Sequence, residues 1–143
     1  MNIKLLTEST KVPLRASKNA AGYDLSAEIT FPTTIQPHTT ELIHTGIAAA
    51  IPEGYFGAIF ARSGLAAKRS LRPANCVGVI DADYRGEIMV ALHNDSDTPQ
   101  TIEPHERIAQ LVIIPYITPE LQVVEDLDET ERGAGGFGHT GTV

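Results

Sequence analysis

The feature that most constrains this chain is the way proline and glycine bound its apolar runs. Pro52 and Gly54 precede Tyr55 to Phe60. Pro52 closes Leu42 to Ile51, and Pro32 and Pro37 punctuate Ile29 to Ile35. Runs this short, rich in β-branched and aromatic residues, predict strands rather than helices. Further strands are predicted at Met1 to Leu6, Glu87 to Leu92 and Ile108 to Ile114. Many short strands with no long 3.6-residue period predict an all-β sandwich or barrel. One short helix is expected at Gly64–Arg69, N-capped by Ser63.

The 143 residues suit one domain with a sizeable core. No apolar run is long enough to span a membrane, and the N-terminus shows no signal-peptide pattern. Cys76 is the single cysteine, which excludes intrachain disulfides and fits a reducing cytoplasm. A net charge of −7 argues against direct, sequence-nonspecific binding of nucleic acid, which calls for a basic face. A protein with this charge that handles phosphates does so with a few placed arginines, backbone amides and a metal ion.

Three stretches carry chemistry. Gly78 to Ile88 places Asp81 and Asp83 in a turn between apolar flanks, and is expected to form a β-hairpin. Asp81 stands where strand becomes turn, and a carboxylate held there can act as a general base on water. Tyr84 offers a flat ring to a sugar or base, and Asn75 a two-faced amide able to read a pyrimidine edge. Arg62-Ser63-Gly64 lies at the predicted helix start, where free N–H groups attract anions. From Glu120 to Glu131 the chain turns acidic. From Arg132 to Gly141 it becomes glycine-rich and cannot build a core. Arg132 can grip a phosphate and Phe137 can stack on a base, so this tail reads as an arm that orders over a nucleotide. The five histidines show no metal-ligand spacing, and no Walker-type loop occurs.

Together these stretches resemble the homotrimeric dUTPase family, whose five ordered motifs all have counterparts here. They are Ala21-Gly-Tyr-Asp-Leu-Ser-Ala27, Ala61-Arg-Ser-Gly-Leu-Ala66, Asn75 with Gly78 to Ile88, Arg107-Ile-Ala-Gln-Leu-Val-Ile113, and Arg132 to Gly141. Five collinear motifs across nearly the whole chain are a specific match. Two positions depart from the pattern: Ala61 replaces the usual proline, and His139 the usual serine.

The resemblance implies a jelly-roll-like fold spanning residues 1–143, with a core and connector over 1–131 and a terminal motif over 132–143. It also implies a homotrimer with shared active sites and an exchanged C-terminal arm. The implied reaction is Mg²⁺-dependent hydrolysis of dUTP to dUMP and pyrophosphate, which limits uracil in DNA and supplies dUMP for thymidylate synthesis. Asp81 would direct water at the α-phosphorus. Arg62, Ser63, Gly64 and Gln110 would hold phosphates, and Arg132 the γ-phosphate. Phe137 and Gly138 would close over the nucleotide. Asn75, Val79 and Ile80 would line the pyrimidine site, Tyr84 would exclude a 2′-hydroxyl, and Met89 would lie nearby. Asp24 would contact the metal through water. The rival on the same fold, a dCTP deaminase, carries a catalytic glutamate where this chain has Ala91. A regulatory nucleotide-binding trimer is the other alternative.

Overall fold

The computed structural model describes residues 1–75 and 77–136, so Cys76, Phe137, Gly138 and His139 lie outside the described residues. The described chain is all-β apart from one short helix. Its elements are β1 (Asn2–Leu5), β2 (Tyr23–Ser26), β3 (Thr33–Ile35), β4 (Thr40–Ile43), β5 (Ile47–Ala50) and β6 (Tyr55–Ala61). Then come α1 (Ser63–Arg69), β7 (Leu71–Pro73), β8 (Gly78–Ile80), β9 (Val90–Asn94), β10 (Gln100–Ile102) and β11 (Arg107–Pro115).

Every strand pairing is antiparallel. One sheet runs β2-β11-β6-β8 and a second runs β4-β9-β7, with two-stranded ribbons β1-β5 and β3-β10 beside them. Most neighbours are distant in sequence, as expected of a jelly roll rather than a meander. β9 alternates buried and part-buried residues, whereas β11 is buried at Ile108, Ala109 and Leu111; Val90, Leu92, Ile108 and Leu111 turn inward. Leu25, Ile35, Ile43, Ile47, Leu71, Ile88 and Ile102 complete the core between the sheets. Each such side chain contributes about 1.5–3 kcal/mol by leaving water. Asn94 is fully buried and fully satisfied: its amide donates to the carbonyls of Ile35 and Thr98, and its oxygen accepts from Ser96.

Several expectations need correction. The predicted strand Leu42 to Ile51 is two strands, broken at a corner where Gly46 adopts φ 68°. A side chain at Gly46 would also meet the Thr10 hydroxyl at 2.2 Å. Within Ile29 to Ile35 only Thr33–Ile35 is strand, and β2, β7 and β10 were not anticipated. The helix begins at Ser63 itself, with Arg62 as N-cap and no side-chain capping bond. The most consequential correction concerns the Gly78 to Ile88 stretch, which is not a hairpin. Its first strand, β8, pairs with β6, whereas β9 pairs with β4 and β7 in the other sheet. Residues 81–89 therefore cross from one sheet to the other.

Candidate active site

The sequence-predicted residues gather at two separate places, one at each end of β6. At the C-terminal end, Asp24 on β2 accepts from two arginines. Arg62 Nε donates to one carboxylate oxygen at 3.0 Å and Arg107 Nη1 to the other at 2.9 Å. Arg62 also donates to the carbonyl of Arg107 at 3.1 Å. Gln110 lies opposite both Phe60 and Asp24 in the strand register and donates to the carbonyl of Ala61 at 2.9 Å. Ser63 and Gly64, in the first turn of α1, are exposed beside this cluster. Two guanidinium groups, a helix start and a primary amide in one place form a grip for a polyanion.

Arg107 belongs to this grip although it was not among the predicted contact residues. It lies three positions before Gln110, so regular alternation would turn the two to opposite faces. A register shift between Arg107 and Ala109 reorients it, and such a bulge has no signature in this sequence.

At the other end of β6, Ile80 pairs with Gly57 and carries Asp81 just beyond the sheet edge. Asp81 borders two hollows. An open cleft of about 220 Å³ is lined by Leu42, Val79, Ile80, Tyr84, Glu87 and Met89 as well as Asp81. A second, of about 620 Å³, includes Ile51, Glu53, Asp83, Arg85 and Tyr116. Val79 is 60% exposed, a strand residue offering its side chain and backbone outward. The Asn75 amide lies over Gly78, 3.1 Å from where a Cβ would sit. Asn75, Val79, Ile80, Asp81, Tyr84 and Met89 are thus brought to one region.

The turn itself is held firmly. The Tyr84 amide donates to the Asp81 carbonyl at 3.2 Å, and the Tyr84 hydroxyl donates to the Glu87 carbonyl at 2.9 Å. A Cβ on Gly86 would stand 2.4 Å from that hydroxyl, so the ring lies where only glycine leaves room. The Glu87 carboxylate accepts the amides of Thr45 and Gly46 and pairs with His44 Nδ1. Burial pushes the Glu87 carboxyl up, but the His44 hydrogen bond, the two amides and the charge of His44 outweigh it and hold the group below its ordinary value. Neither Glu87 nor His44 was visible as a site residue in the sequence, because their contact joins positions distant along the chain.

Arg132 is exposed and folds back on its own segment, donating from Nε to the Gly135 carbonyl at 2.9 Å. A hollow of about 660 Å³ is lined by residues of this arm, Leu127 to Thr130 with Gly133 and Ala134. It touches neither cluster. The calls on Phe137 and Gly138 lie outside the described residues. Among the described residues no group of three or more His, Cys, Asp or Glu forms a metal cage.

A family model described as dUTPase matches residues 8–141. The deoxyuridine 5′-triphosphate nucleotidohydrolase of Alcanivorax borkumensis is 47% identical over 137 residues, covering 95% of this chain and 91% of that protein. The protein of the same name from Oryza sativa subsp. japonica is 47% identical over 143 residues, covering 99% and 80%. The structure of the Staphylococcus bacteriophage 80alpha dUTPase with dUPNHPP superposes with a TM-score of 0.90 at 34% identity, covering 99% of this chain and 98% of that one. Together with the antiparallel jelly-roll fold, these matches define a nucleotide hydrolase. Within that class, the chain belongs to the dUTPase family.

Proposed function

We propose that this dUTP diphosphatase binds dUTP at sites shared between the protomers of a homotrimer, where Asp81 directs water at the α-phosphorus to give dUMP and pyrophosphate. One observation carries the reading. Antiparallel pairing puts Asp81 beyond Ile80 and Gly57, at the opposite end of β6 from Arg62. At a strand rise of about 3.3 Å per residue the two are about 20 Å apart. A general base must lie within hydrogen-bond reach of the water it activates. The phosphate grip must hold the very phosphorus that the water attacks. One protomer cannot offer both to the same nucleotide, whereas two adjoining protomers can.

The arm supports a third contribution. Ile117, Leu121 and Leu127 are 86%, 94% and 85% exposed, apolar side chains with no place in their own core. Packing on a neighbour would cover them and deliver Arg132 to the γ-phosphate and Phe137 with Gly138 over the base. Arg62, Ser63, Gly64, Gln110 and Arg107 hold the phosphates. Asn75 and the exposed edge of β8 receive the uracil, and Tyr84 with Met89 flanks the deoxyribose.

Asp24 is a hard oxygen donor whose two oxygens each retain a lone pair beyond its arginine bonds, which suits a water-mediated contact with Mg²⁺. A single carboxylate is enough for an ion bound mainly through phosphates and water. When bound, Mg²⁺ offsets triphosphate charge. Among the described residues no helix is long and apolar enough to cross a membrane. We place the enzyme in the cytoplasm, where it would act on the free nucleotide pool, limit uracil in DNA and supply dUMP for thymidylate synthesis.

The test mixes two inactive variants, Asp81→Asn and Arg62→Ala, after unfolding and reassembly. Random assortment in a shared-site trimer leaves about a quarter of the sites with both groups intact. Recovery of pyrophosphate release from dUTP to that level is expected, with a trimer mass by sedimentation equilibrium. No recovery in a mixed trimer would place the whole site on one chain. Parallel assays with dCTP, scoring deamination, test the rival chemistry that Ala91 disfavours.

A further inference from the structure

Glu87 is bonded at both ends, and each end serves a different part of the molecule. Its side chain caps the corner between β4 and β5. Oε1 accepts the amide of Thr45 at 3.1 Å and that of Gly46 at 2.8 Å, while Oε2 meets His44 Nδ1 at 2.8 Å. Its backbone carbonyl receives the Tyr84 hydroxyl. The next residue, Ile88, is fully buried and donates its amide to the Ile47 carbonyl at 2.7 Å, and Thr45 Oγ1 bonds the Ile88 carbonyl. The crossover is therefore clamped to the corner of the opposite sheet just after the turn that carries Asp81 and Tyr84. Upstream, β8 fixes the turn as far as Ile80. Between these anchors the ring of Tyr84 is located by two bonds, its amide to Asp81 and its hydroxyl to Glu87.

We propose that Glu87 is a positioning residue for substrate selection: by holding the β4–β5 corner it fixes the carbonyl that orients Tyr84, and so sets how closely the ring approaches C2′ of the sugar. This rests on the reading that Tyr84 flanks the deoxyribose. Without the Glu87 carboxylate the crossover keeps the Ile88 bonds to Ile47 and Thr45 but loses the bonds to His44, Thr45 and Gly46 one residue nearer the turn, so the carbonyl still accepts the hydroxyl but is less tightly placed. Discrimination against a 2′-hydroxyl is a steric judgement, and displacements of about 1 Å in a positioned group change rates by up to about 10²-fold. A neutral amide reproduces the clamp. Glutamine keeps an oxygen for the two backbone amides and turns its N–H group to His44 Nδ1. Aspartate, one methylene shorter, cannot reach both.

The experiment measures kcat/KM for dUTP and for UTP in the full-length wild type and in Glu87→Ala, Glu87→Asp, Glu87→Gln and Tyr84→Ala, with thermal unfolding of each. In Glu87→Ala the dUTP-to-UTP ratio is expected to fall about tenfold or more, mainly by improved handling of UTP. Glu87→Asp should fall in the same direction, and it carries the test if the alanine variant does not fold. Glu87→Gln should keep the wild-type ratio. A loss of stability without a change in ratio in both Ala and Asp variants would overturn the proposal, provided Tyr84→Ala does relax the ratio. If Tyr84→Ala itself leaves the ratio untouched, the placement of Tyr84 at the sugar fails first. A Gln variant as relaxed as Ala would show that the clamp is not what matters.

Discussion

Asp81 accepts a local turn bond through its backbone while its side chain stands exposed at the sheet edge between two hollows. Its carboxylate is free to face a water, unlike that of Asp24, which two arginines occupy. Asp81→Asn is expected to preserve dUTP affinity and lower kcat by at least about 10²-fold, since it removes a general base without changing shape. Equilibrium binding of a non-hydrolysable analogue alongside steady-state kinetics separates the two effects; an unchanged kcat would remove Asp81 from the mechanism. Residue types and order singled out Asp81, Tyr84, Asn75 and Arg62 as candidates, and the family resemblance added Gln110. What they could not give was who holds whom. The Arg107 contact depends on a bulge, and the Glu87–His44 contact on the antiparallel pairing of β9 with β4.

At the level of elements, Gly and Pro punctuation located most strands but not their partners. Asp- and Gly-containing turns between apolar runs have the same local chemistry whether the chain doubles back or crosses between sheets, so the crossover at residues 81–89 read as a hairpin. The three- and four-residue strands β2, β7 and β10 are too short to show an alternating period. The corner at Gly46 combines a positive φ with a close approach to Thr10. Gly46→Ala is expected to cost about 1–3 kcal/mol in denaturant unfolding, a strain and packing penalty together. The arm behaves oppositely. Deleting residues 132–143 removes a glycine-rich, polar segment whose described residues, 132–136, lie outside the core, so the melting temperature should stay nearly unchanged. The kcat/KM for dUTP should fall steeply, about 10³-fold if Arg132 acts on developing phosphate charge as an arginine finger does. Paired calorimetry and kinetics decide this, and full activity of the truncated protein would reduce the arm to a mere terminus.

For the whole molecule, two part-buried carboxylates tie distant segments together. Glu87 joins the crossover to the β4–β5 corner, and Glu28 accepts from Thr7 and Ser9 with His105 3.7 Å away. In Glu28, burial raises the carboxyl, and the Ser9 and Thr7 hydroxyls with the charges of His105 and Lys11 bring it below its ordinary 4.5. Both groups are thus depressed in the folded state, so the unfolded chain binds more protons as pH falls. Their stabilisation is complete above about pH 4.5, the ordinary value of each group, and is lost as pH drops through their lower folded values. Replacing Glu87 by Gln should therefore flatten the decline in unfolding free energy as pH drops below about 4.5. A decline as steep as wild type would show that Glu87 does not contribute.

The placement of Asp81 and Arg62 at opposite ends of β6 also has a genetic meaning. If each catalytic centre draws on two chains, a chain lacking only Asp81 spoils one centre of its trimer, whereas a chain lacking both groups spoils two. In a cell expressing wild-type and singly damaged copies together, output then falls in proportion to the wild-type share. With doubly damaged copies it falls as the square of that share. The same strand that separates the two groups would make the second lesion in an already inactive chain harmful to its neighbours.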